Sequence, residues 1–151
     1  MKQTSIIRKE WLAALLIVML SAALPAVAQD GLGVEKVFAT YGKGKGCKMV
    51  EMHDATLRGH RLAVYKSLTY KNNGESIRTM LQSDRKRAKK IREVVEDGHV
   101  VSGYYMMPPL KEGVNRFILF AQPTAAKGVV IYIEGRLSPD EVMQLCYFKF
   151  K

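Results

Sequence analysis

The sequence is poor in the residues that usually announce chemistry. Two cysteines, three histidines, one tryptophan and five prolines are spread through 151 residues. Two cysteines allow one bridge at most, which excludes a scaffold framed by disulfides. If Cys47 and Cys146 pair, they tie the first strand to the last helix. Two buried thiols acting as small apolar side chains are the alternative. His53, His60 and His99 stand apart, with no CxxC, HxxxH or HExxH spacing, so neither a metal centre nor a cofactor is expected. No G-x-S-x-G is present, so a nucleophile elbow is excluded. Acidic residues are also scarce, 14 against 24 lysines and arginines. The paired acids Asp140 and Glu141 have a structural use as helix-start residues. Together these absences point away from an enzyme.

Long apolar runs are missing too, with one short exception at the start. Lys2, Arg8 and Lys9 precede Trp11 to Leu20, and Ala26-Val27-Ala28 follows. A positive region, a short apolar core and an A-x-A site describe a secretory signal peptide covering residues 1–28. The run is short of the ~20 residues that span a bilayer. No cysteine follows the cleavage site and no twin-arginine pair precedes it. The expected product is a single domain, residues 29–151, that is periplasmic or secreted, is not a lipoprotein and has no transmembrane helix. Loss of three cations and one acid lowers the net charge from +10 to +8.

What the chain does contain is pattern. From Glu75 to Asp97 the apolar residues Ile77, Leu81, Ala88, Ile91 and Val95 share one face at about 100° per residue. This spacing predicts one long amphipathic helix, capped by Asn72 or Asn73 and closed by Gly98. Asp84 falls inside the apolar stripe. It is expected to be a helix cap at a break, an ion-paired residue at the rim of the core, or a buried carboxylate poised for chemistry.

The rest reads as strands with two shorter helices. Val34, Val37, Phe38 and Tyr41 recur at helical spacing before the loop GKGKG. That loop lacks the order of a phosphate cradle. Cys47 to His53 and His60 to Tyr70 predict strands, joined by Asp54 to Gly59. Val100 to Met107, Asn115 to Gln122 and Gly128 to Glu134 predict a meander, the first strand stopped by Pro108-Pro109. Leu137-Ser138-Pro139-Asp140-Glu141-Val142 carries a capping box with a hydrophobic staple. Tyr147, Phe148 and Phe150 are expected to cover the sheet. The expected fold is α+β in the order α-β-β-α-β-β-β-α. It is a mostly antiparallel sheet of about five strands with helices packed on one face.

Two sets of side chains are candidates for binding. Arg85, Lys86, Lys89 and Lys90, with Lys43 and Lys45 of the loop, form a candidate anion site for lipopolysaccharide, acidic lipid or glycan. The basic run lacks interleaved aromatics, which argues against nucleic acid. Tyr65, Tyr104, Tyr105 and Tyr132 would form a ligand platform if they shared an open sheet face.

DRKRAKKIREVVEDG, GYYMMPP, NRFILF and VVIYIEG, with the run from Val129 to Leu145, resemble small exported Bacteroidetes-type families of unknown function. The resemblance covers most of the mature chain and implies a Gram-negative envelope address. It carries no site residues. The expected function is that of a non-catalytic module binding another envelope protein or peptide. An anionic-glycolipid binder is the alternative, and a hydrolase or metalloprotein using Asp84 and the histidines is the third reading.

Overall fold

The structure, a computed structural model, describes residues 31–147. The expected signal peptide, and the covering role expected of Tyr147, Phe148 and Phe150, lie outside the described residues and side chains. The elements are α1 (Gly33–Tyr41), β1 (Cys47–Leu57), β2 (His60–Tyr70), α2 (Gly74–Arg87), β3 (Lys89–Glu96), β4 (His99–Lys111), β5 (Val114–Ala121), β6 (Gly128–Gly135) and α3 (Pro139–Tyr147). The class is α+β, and every strand pairing is antiparallel. The sheet has six strands rather than five, ordered β1-β2-β6-β5-β4-β3.

The additional strand is the second half of the expected long helix. α2 stops at Arg87, and Ala88 is extended, with φ −82° and ψ 151°. The topology sets this length. β2 and β3 are four strand spacings apart, or ~19 Å. A helix of 14 residues covers ~21 Å. By Arg87 the chain has crossed the sheet and must turn along its edge. Asp97 and Gly98 then adopt positive φ, 49° and 76°, between the paired residues Glu96 and His99. They form a two-residue hairpin turn, for which Asp-Gly is a favoured pair. The same dipeptide had suggested a helix end.

Two further boundaries differ from expectation. β1 runs on to Leu57, and Arg58-Gly59 closes a tight hairpin, both with positive φ. β4 continues through Pro108 and Pro109 to Lys111, but its register with β5 is interrupted between Met107 and Lys111. The prolines therefore break the ladder without ending the strand.

The helices do not share one face. Val34, Val37 and Phe38 of α1 and Ile77 and Leu81 of α2 pack with Leu68, Tyr105, Ile118, Val130 and Tyr132. Val142, Leu145 and Cys146 of α3 pack with Tyr65, Tyr104, Phe117, Ile131 and Ile133. Neighbouring strand residues such as Val130 and Ile131 belong to different clusters, so these clusters lie on opposite faces of the sheet. The near-continuous apolar runs of β5 and β6 account for this, because side chains emerge from both faces and both need cover. Each fully buried aliphatic or Phe side chain contributes about 1.5–3 kcal/mol. The described residues from Leu32 onward form one compact unit.

α3 begins as its capping box dictates. Ser138 N–H donates to Glu141 Oε2 at 2.7 Å, and Glu141 N–H donates to Ser138 Oγ at 3.2 Å. The staple residues Leu137 and Val142 are both buried.

Candidate functional site

The side chains proposed for chemistry are dispersed by the fold. His53 contacts Glu51 at 2.7 Å, His60 lies 4.0 Å from Glu141, and His99 is exposed beside the β3–β4 turn. No group of three or more metal-ligating side chains forms among the described residues. Met106 and Met107 face opposite sides of the sheet. Tyr65 and Tyr104 point to one face, Tyr105 and Tyr132 to the other, and all four are buried. They make no shared platform. Cys47 packs at the edge of the first cluster and Cys146 in the second. The sheet lies between the two thiols, and no bridge joins them.

Asp84 is buried, and it caps a helix other than its own. Its Oδ1 accepts the N–H of Gly33 and its Oδ2 the N–H of Val34, both at 2.7 Å. These are the opening amides of α1, which otherwise lack acceptors. Leu32, at the cap position itself, offers no side-chain acceptor. The carboxylate in the apolar stripe is therefore a tertiary cap. No local spacing in the sequence reports it.

The basic residues do not converge either. Gly33 of α1 lies against the last turns of α2, near Met80, Ser83 and Asp84. Lys43 and Lys45 follow the other end of α1, in the loop whose Gly46 lies beside Lys71 and Asn72, just before α2 begins. Arg85, Lys86, Lys89 and Lys90 sit at the far end of α2 and on β3. Arg85 is already engaged. Its Nε and a terminal NH donate to Glu93 at 3.2 and 3.0 Å. Glu93 also accepts the Tyr105 hydroxyl at 2.6 Å and lies 3.6 Å from Lys90 Nζ. Burial alone would raise the Glu93 pKa. The Tyr105 hydroxyl, then Arg85 and Lys90, outweigh burial and hold it below the ordinary carboxylate value. Lys86 and Lys89 stay exposed.

Among the described residues lies a concavity of ligand size. It is a groove of about 480 Å³ on the α3 side of the sheet, beside that helix. Val94, Tyr104 and Leu119 supply its strand wall, and Met143 and Cys146 its helix wall. Arg92 and Ser102 are its polar members, and the lining includes no acid and no imidazole. α3 is short and covers the centre of this face, and among the described residues the β3–β4 side is left open. Tyr104 fixes the wall in place. Its hydroxyl donates to the Pro139 carbonyl at 2.6 Å, tying β4 to the start of α3. Burial pushes this hydroxyl's pKa up, beyond its ordinary range. The Phe117 ring packs at 6.1 Å and 40° to it. Such a lining can desolvate apolar side chains and meet one anionic group. It offers no nucleophile with a base and no pair of carboxylates.

A family model matches residues 21–146, which is most of the chain. The chain belongs to DUF6108, a family of unknown function. The match spans every element that lines the groove. No curated protein and no solved structure matches the chain. Among the described residues, no helix of this DUF6108 chain is long and apolar enough to cross a membrane.

Proposed function

We propose that this DUF6108 protein is an exported, non-catalytic module that binds another envelope protein through an extended or apolar segment. The observation that carries the reading is the groove between α3 and the β3–β5 half of the sheet. It falls within the ~300–1,000 Å³ usual for ligand sites. It is open, mostly apolar and free of acid or imidazole. It also borders β3, which pairs only with β4 among the described residues. Val95 on that edge strand is 56 % exposed, a large apolar side chain facing water. The signal-like residues 1–28 support export to a Gram-negative envelope.

The test is photo-crosslinking from position 94 in cells, with the exposed positions 75 and 82 of α2, the helix on the opposite face of the sheet, as controls. The expected result is a discrete adduct from position 94 that disappears when Ser102→Trp fills the groove. Equal adducts from all three positions, or none from position 94, would remove the reading.

A further inference from the structure

The charges on β3 are sorted between the two faces of the sheet by a bulge. Lys90 pairs with Tyr105, and Arg92 pairs with Tyr104, so Ile91 is the additional residue. Ile91 packs against the α3-side cluster, and Arg92 lines the groove on that same face. In a regular strand two consecutive residues would point to opposite faces. Here the bulge turns Ile91 and Arg92 together toward the groove. Glu93 then faces the other way, where Arg85, Tyr105 and Lys90 hold it. Bulges re-aim side chains in this manner, and they are common beside functional sites.

The result is a groove whose one charged lining residue is Arg92. Arg92 makes no ion pair among the described residues and is exposed. The nearest acid in sequence, Glu93, is consumed on the opposite face. Lys89 opposes Met106, whose side chain packs on the groove's face, so a second cation stands on that side of the strand. This edge repels cations and welcomes a carboxylate.

Resting on the peptide-binding reading above, we infer that the partner is an extended peptide with an acidic residue beside a large apolar one. The apolar side chain enters between Tyr104, Leu119 and Met143. The carboxylate meets the Arg92 guanidinium, whose planar fork suits it. The outward backbone groups of β3 favour a peptide over an acyl chain, because only a peptide can hydrogen-bond with them.

Panning phage-displayed random dodecapeptides on the purified protein tests this, with Ser102→Trp and Arg92→Glu as parallel targets. Peptides enriched on the unmodified protein and lost on Ser102→Trp are then synthesised and titrated by fluorescence anisotropy. The expected consensus places Asp or Glu next to an apolar residue. Arg92→Glu should weaken those peptides by roughly fivefold, the scale of an exposed ion pair, and select Lys or Arg instead. Groove-dependent peptides without an acidic bias, or indifferent to Arg92→Glu, would overturn the inference and leave the groove reading intact. Absence of any peptide that depends on Ser102 would overturn both. Displacement of bound peptides is also tested with dodecanoate. A groove that takes dodecanoate and no peptide would overturn the inference in favour of a lipid ligand.

Discussion

Asp84 in α2 accepts the backbone N–H of Val34 in α1 at 2.7 Å, joining residues fifty positions apart. With Gly33 bound to the other oxygen, one side chain closes the start of α1 and fastens it to α2. Asp84→Ala leaves two amides without acceptors in a buried place. The expected loss is about 2–3 kcal/mol in denaturant unfolding at neutral pH. Asp84→Asn keeps an acceptor and should lose less. An alanine variant within ~0.5 kcal/mol of the original would contradict the assignment.

The Glu93 carboxylate gives a pH signature. Its folded-state pKa lies below the ordinary 4.5. Its stabilising contribution is therefore complete above 4.5 and is lost as pH falls through the folded value. The melting-temperature gap between the original protein and Glu93→Gln should be widest near neutrality and close as pH falls below 4.5 through the folded value. A gap that stays constant would mean the network does not carry the effect.

Tyr70 donates to Gln122 Oε1 at 2.8 Å, and Gln122 is 1 % exposed. Tyr70→Phe removes the donor and strands a buried carbonyl. The expected loss is about 1–3 kcal/mol, read from urea midpoints at unchanged slope. A neutral result would show that water reaches the amide.

An intact mass taken without reductant reads two further outcomes. Cleavage after Ala28 should leave Gln29 as the first residue. Cys47 and Cys146, on opposite faces of the sheet, should both retain their hydrogens. A deficit of two hydrogens would contradict the placement of the two thiols.

Residues whose neighbours in sequence decide their conformation were legible. The Ser138 capping box and the strands β2, β5 and β6 follow their local signals closely. The segment from Lys89 to Glu96 was not legible by periodicity alone. Ile91, Val94 and Val95 suit a helical stripe as well as a bulged edge strand. The Asp97-Gly98 pair was the better signal, since its positive φ pair belongs to a hairpin. The role of Asp84 was hidden for another reason. Arg87 pairs with Asp84 at 3.4 Å from i+3, in keeping with the expected ion pair, but the amides it caps belong to a distant helix, and no spacing encodes them. The groove was equally hidden, because it arises from where α3 stops covering the sheet and from which way a bulge turns Arg92.

The place of β6 also governs how this molecule is built. β6 is the last strand made, yet it stands between β2 and β5 in the sheet. The β1–β2 and β3–β4–β5 pairings join strands adjacent in the chain, whereas β2 and β6 are far apart in sequence, with Tyr70 opposite Gly128 and Val64 opposite Glu134. Loop closure over such separations is slow. Without β6 the sheet divides into the β1–β2 pair and the β3–β4–β5 set. A chain lacking Gly128–Gly135 should leave β2 and β5 each with an unpaired edge and should aggregate.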